Sequence, residues 1–128
     1  MRKLIKLLIC STILIGCEYK NSQNQKIFIS GFNSGKWRND SIACIGDRGK
    51  MVGQIIDNKK ELKGKNKNDI ILFLGHPNVE ARSYRFFVEK GVQCMGYVTK
   101  KGFDSLETAS LVLDFDKKDI VKNVRMIK

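Results

Sequence analysis

His76 is the single histidine of the chain and stands in "LGHP", between a glycine and a proline. A nucleophilic triad needs a base held beside a serine, cysteine or threonine. An exposed polar residue is the ordinary tenant of such a turn, so a hydrolase acting through His76 is the least supported reading. Carboxylates gather once, at Asp114, Asp116 and Asp119, where a solvated turn accounts for them without a metal. Gly31 and Gly35 lack the lysine-serine ending and the strand-to-helix setting of a phosphate-cradling loop. The one concentration of charge is Lys59, Lys60, Lys63, Lys65 and Lys67. It is either a solvated basic connection or a contact patch, in which each lysine near an anionic surface would add about 1 kcal/mol. Trp37, Tyr84, Phe86 and Phe87 could form an aromatic platform, but a core this small has more need to bury them. No metal, cofactor or small-molecule substrate is expected.

The elements that must position these residues follow from periodicity. Asp47 can cap a helix from Arg48 to about Lys60, with Met51, Val52, Ile55 and Ile56 on one face. Gly49 and Gly53 would each weaken it by about 1 kcal/mol relative to alanine. In "NKNDIILFLGHP" Asn66 or Asn68 is a cap, Asp69 sits near the positive end of the helix dipole, and Ile70, Ile71, Phe73 and Leu74 form the apolar stripe. Gly75 and Pro77 then stop the helix. Beyond them the period becomes two. "SYRFFVE" sets Tyr84, Phe86 and Val88 against Arg85, Phe87 and Glu89, and "SLVLDFD" sets Leu111, Leu113 and Phe115 against Val112 and Asp114. After a turn at Asp116 to Asp119, "IVKNVRMI" places Ile120, Lys122, Val124 and Met126 on one side; the last two strands read as a hairpin. Residues 91–108 are less regular, a long loop or a loop carrying a short extra strand. Phe28, Phe32 and Trp37 are expected to close one end of the core. The expected architecture is α+β, two N-terminal helices packed on a three-stranded antiparallel sheet (ααβββ), in one domain spanning 27–128.

Ahead of that domain lies an export signal. Arg2, Lys3 and Lys6 precede a mostly apolar run from Leu4 to Ile15, then Gly16 and Cys17. At about 12 residues the run is too short to span a bilayer core, which takes about 20. "LIGC", Leu14 to Cys17, resembles the lipobox of bacterial lipoproteins, in which a peptidase cuts after lipid is attached to the cysteine. The resemblance implies cleavage between Gly16 and Cys17, a diacylglycerol thioether on Cys17 and an N-acyl chain, an anchor of two or three chains that needs no membrane span. Residues 17–26 then carry the acylated cysteine and a polar tether, whose nine residues from Glu18 to Lys26 would span about 15 to 18 Å.

By the same resemblance Cys10 leaves with the signal and Cys17 is acylated, so Cys44 and Cys94 remain to form a disulfide in an oxidising compartment. Two buried thiols are the alternative, and a metal site with His76 a distant third. The formal charge of +11 falls with the leader: without Arg2, Lys3 and Lys6, 21 of 24 basic groups face 13 acidic ones, leaving about +8. Nucleic acid is not the expected partner of an exported protein. Anionic headgroups or an acidic protein face are.

The order of elements, with "LKGKNKNDIILFLGHPN" from Leu62 to Asn78, resembles the BamE/SmpA-like group of small envelope lipoproteins, in which a helix ending in an "LG-x-P" turn feeds the first strand; Leu74, Gly75 and Pro77 match it. Lys36, Trp37, Asp40, Cys44, Gly46 and Arg48 resemble the "KW-x-x-D…C-x-G-x-R" opening of other small envelope lipoproteins. These likenesses imply a non-enzymatic, lipid-anchored binding or scaffolding module, on the outer membrane facing the periplasm, whose partner is an unidentified envelope protein, with outer-membrane assembly as a setting. The alternative is an inhibitor or immunity-like protein seated on an enzyme, since related two-helix, three-strand domains include β-lactamase inhibitors.

Overall fold

The computed structural model describes residues 26–96, 102 and 107–128. The expected export signal at 1–16, Cys17 and the expected tether up to Gln25 lie outside the described residues. In chain order the elements are α1 (Ser34–Asn39), α2 (Asp47–Asp57), a 3-10 turn (Lys59–Glu61), α3 (Lys67–Leu74), β1 (Val79–Glu80), β2 (Ser83–Phe87), a second 3-10 turn (Val92–Met95), β3 (Ser110–Phe115) and β4 (Val121–Ile127). The strands form one antiparallel sheet in the order β1-β2-β3-β4. The class is α+β, with three helices and four strands among the described residues, one more of each than the periodicity indicates. Both additions are short. β1 has two residues and α1 six, too few to impose a readable period.

The helices cover one face of the sheet. Trp37, Ile55, Leu62, Ile70 and Leu74 pack with Tyr84, Phe86, Val88, Leu111, Leu113 and Phe115 in a single core. β3, hydrogen-bonded on both sides, buries Leu111, Val112 and Leu113 in succession, as a strand covered on both faces must. The second face is closed near Phe87, which packs on Ala43. β4 departs from the expected alternation. A bulge between Asp114 and Phe115 sets Phe115 opposite Val121, so Val121 and Val124 are buried while Met126, opposite Leu111, remains 39% exposed. One extra residue in one strand shifts the inward face by one position, which alternation alone does not reveal.

α2 begins at Asp47 rather than being capped by it. The cap is Gly46, at φ +97°, a left-handed conformation suited to glycine. Glycine offers no capping side chain, and Asp40, just past α1, supplies the carboxylate: its oxygens accept from the backbone N–H of Ile45 (2.8 Å) and Arg48 (3.0 Å). The Arg48 side chain is 1% exposed. Its guanidinium donates to the Trp37 carbonyl (3.0 Å), Asn78 Oδ1 (3.1 Å) and the Phe87 carbonyl (3.4 Å), and lies 4.9 Å from the Trp37 ring centre. Asn78 Oδ1 also accepts from the Phe87 N–H, and its amide donates to the Ser41 carbonyl. The opening motif Trp37, Asp40, Gly46 and Arg48 is thus a clasp joining α1, α2 and the end of β2. Trp37, Tyr84, Phe86 and Phe87 are all buried, so they form no platform.

Asn66 caps α3 in a reciprocal capping box with Asp69, as Asn and an acidic residue three positions later can do. Gly75 ends the helix at φ +79°, and a Cβ there would lie 3.1 Å from Arg38 Cγ. Gly49 is not a defect in α2: a Cβ at that position would lie 2.9 Å from the Val88 carbonyl oxygen, so glycine is what lets the helix approach the strand. A Cβ at Gly53 would meet open space. Chemical denaturation should therefore show opposite signs for two similar changes. Gly53→Ala raises stability by about 0.5 to 1 kcal/mol, whereas Gly49→Ala lowers it by about 1 to 3 kcal/mol. Arg48→Met, which takes the guanidinium donor away from three acceptors, should cost about 2 to 4 kcal/mol. Equal effects from the two glycines would refute the packing account.

Candidate functional site

The residues singled out for chemistry do not converge. His76 is exposed in the turn after α3. Lys59, Lys60 and Lys63 are exposed, Lys65 is half-buried, and Lys67 turns away to pair with Asp119 at 3.2 Å and to lie over Tyr84 and Phe115. The five lysines therefore do not present one open patch. Each hairpin aspartate has a structural partner. Asp116 Oδ1 accepts from the N–H groups of Lys118 and Ile120, closing the turn; Asp119 pairs with Lys67; Asp114 receives Ser83, Asn123 and Arg125. Among the described residues no three His, Cys, Asp or Glu side chains are grouped to hold a metal ion.

Cys44 and Cys94 stand at disulfide-bonding distance with Cα atoms 5.6 Å apart, 50 residues apart in sequence. A bridge closing such a loop adds about 4 kcal/mol in the chain-entropy account. It joins the α1–α2 connection to the second 3-10 turn, where Gln93 donates to the carbonyls of Ile42 (3.1 Å) and Glu89 (2.9 Å) and accepts from Thr108 (3.2 Å).

The feature best suited to binding is a groove of about 490 Å³ between the start of the domain and α3. Three pieces of chain build it. In Ile27, Phe28 and Ile29 the two isoleucines are buried and Phe28 is 74% exposed. On α3, the stripe that buries Ile70 and Leu74 turns Leu72 outward, 60% exposed, with Phe73 beside it. Phe32 packs on Phe73 at 5.0 Å between ring centres, and Arg38 Nη1 donates to the Leu72 carbonyl at 2.9 Å. Asp69 also lines the groove. One of its oxygens accepts from the Asn66 N–H at 3.2 Å, while the other, Oδ1, is buried with no hydrogen-bond partner. Phe28 was expected in the core, and the groove was not foreseen. The signals were present: "IFIS" alternates like a strand with Phe28 outward, and Leu72 falls off the helical stripe. A second, more polar cavity of about 790 Å³ lies by the hairpin, but its charged lining includes the paired Lys67, Asp114 and Asp119.

On the sheet's second face the Arg125 guanidinium, donating to Asp114 at 2.9 Å, holds that carboxyl below the usual carboxylate range. A depressed carboxyl contributes stability above its unfolded value, about 3.9, and loses it as pH falls through the lowered one. In a carboxyl-resolved NMR titration Arg125→Gln should move the Asp114 midpoint upward, with no effect on stability near neutrality beyond about 1 kcal/mol. An unmoved midpoint would refute the pairing. Compared with known proteins, the chain matches no family model, no curated protein sequence and no solved structure.

Proposed function

We propose that this chain is a lipid-anchored protein of the bacterial envelope whose small domain binds another envelope component and catalyses no reaction. The leader, the lipobox-like "LIGC" and a cysteine pair suited to an oxidising compartment support the address. The observation that carries the binding role is the groove itself. It gathers the exposed Phe28 and Leu72 at one concave site, lined also by Lys26, where the expected tether joins the domain. Adjacent apolar side chains kept in water at a concave site mark a place where another molecule sits.

On this reading the acyl chains on Cys17 confine the domain to within about nine tether residues of a membrane, so a partner in the same envelope meets the groove at high effective concentration. The outer membrane, facing the periplasm, is the proposed location, and an accessory role in outer-membrane protein assembly the proposed setting, by likeness to BamE-like lipoproteins. The mature protein isolated from its native membranes should begin at Cys17 and carry the mass of two or three acyl chains, with Cys44 and Cys94 oxidised. Whatever protein co-purifies should be lost on Leu72→Glu, an exposed change that leaves the thermal midpoint within a few degrees. A product that still begins at Met1 without lipid overturns the address. Undiminished co-purification with Leu72→Glu overturns the groove as the binding surface.

A further inference from the structure

We propose that the Cys44–Cys94 bridge is a thiol-exchange site: a protein carrying two neighbouring thiols opens it in the folded domain by attack on Cys94, and it recloses on the same framework. The inference goes beyond the binding role above and uses neither the groove nor the anchor.

Three observations carry it. First, the bridge is open to solution. Cys94 is exposed and Cys44 half-buried, so Cys94 is the sulfur that an incoming thiolate reaches. Exposed bridges are the ones that exchange, whereas sealed structural ones resist it. Second, the bridge is not the only tie between its two segments. Gln93, next to Cys94 and 6% exposed, donates to the carbonyl of Ile42, two residues before Cys44, at 3.1 Å and to that of Glu89 at 2.9 Å, and accepts from Thr108 at 3.2 Å. A Cβ on Gly91 would lie 2.6 Å from the Gln93 carboxamide oxygen, so glycine there admits this arrangement. A buried amide with its polar atoms satisfied is rigid. The two thiols of the opened form therefore stay beside each other, at a high effective concentration for reclosure. Third, exposed apolar side chains flank the bond. Ile45, beside Cys44, is 63% exposed, and Val92 and Met95, on the turn that carries Cys94, are 46% and 70% exposed. A small thiol gains nothing from such a rim, whereas a protein that brings a thiol to the bond covers it.

The chemistry balances between two dithiols. One thiolate of the partner attacks Cys94 Sγ, the bridge S–S bond breaks, a mixed disulfide forms on Cys94, and Cys44 leaves as a thiolate that takes up a proton. The partner's second thiolate then attacks its own sulfur in the mixed disulfide, closing the partner's disulfide and releasing Cys94, which is protonated in turn. Two electrons and two protons pass from the partner to the bridge, and the reverse sequence recloses it.

The test uses the full chain purified from its native cells, in which Cys44 and Cys94 fall on separate tryptic peptides, 39–48 and 91–100, apart from Cys10 and Cys17. With glutathione and an acid quench, the first mixed disulfide should sit on peptide 91–100 with about tenfold preference. Its rate should be proportional to the glutathione concentration and unchanged in about 1 M urea, and the emission of buried Trp37 should stay native in the opened form. In a glutathione redox buffer, Gln93→Ala should lower the effective concentration of the two thiols about tenfold and Thr108→Val, a milder change, about threefold. Replacing Ile45 and Met95 together by serine should slow opening by reduced thioredoxin, the protein dithiol used as probe, about fivefold and leave opening by dithiothreitol unchanged. Glutathione found first on Cys44, opening that ignores thiol concentration and climbs steeply with urea, loss of native Trp37 emission on opening, or reclosure indifferent to both Gln93 and Thr108 overturns the exchange site and leaves a structural staple. Equal slowing of both reductants, or of neither, overturns a protein as the source of the thiol. None of these readouts depends on lipid at Cys17, so their failure and the failure of the anchor are told apart.

Discussion

The buried guanidinium of Arg48 is the interaction on which the rest of the domain is arranged. Burial lowers its pKa to about 10, against the raising effect of Asp40, so at neutral pH it is charged and must be paid back in hydrogen bonds. The acceptors come from three separate pieces of chain: Trp37 in α1, Asn78 after the helix stop, and Phe87 at the end of β2. Removing a buried charge's partners is far more costly than any surface pair. Each acceptor therefore fixes where its element can lie. Asp40 completes the arrangement by capping the helix that carries Arg48, in place of the side chain Gly46 lacks.

That clasp determines what the two faces of the sheet can do. With the Arg48 guanidinium over the Trp37 and Phe86 rings, α1 and α2 are committed to one face. The α1–α2 connection swings past the end of β2 and covers Phe87 through Ala43. The Cys44–Cys94 link and the Gln93 hydrogen bonds hold that cover in place. The polar pairs on the second face, Asp114 with Arg125 and Ser83, finish the sheet without a hydrophobic partner there.

The groove is one place where this closure leaves apolar side chains in water, as it does also at Ile45 and Met95. α3 is short and well capped, so its orientation follows from its buried residues Ile70 and Leu74. Once these are seated, Leu72 has no inward direction left, and Phe28 is turned out by the burial of its two neighbours. Asp69 spends one oxygen on the capping box and keeps the other buried without a partner. The helical wall, fixed by its cap and its buried residues, is suited to recognition, because little conformational freedom is lost there on binding.

The sequence by itself determined what depends on neighbours a few residues apart. A cap at Asn66 or Asn68, the α3 stripe, the stop at Gly75 and Pro77, and the β3–β4 hairpin are local, since capping, helical period and turn chemistry act within one or two turns of chain. The α+β class followed from their order. Tertiary structure alone decided the rest, for one physical reason: those features are set by contacts between different elements, most of them between residues 30 or more positions apart. Arg48 meets Asn78 across 30 positions and Phe87 across 39, so its role as the clasp is invisible in a helical wheel. Gly49 reads as a helix breaker until the Val88 carbonyl stands against it. The bulge that turns Val121 inward is a property of two strands together. Phe28 and Leu72, apolar and ordinary in the sequence, became the exposed lining of one groove only when the packing of their neighbours left them outside.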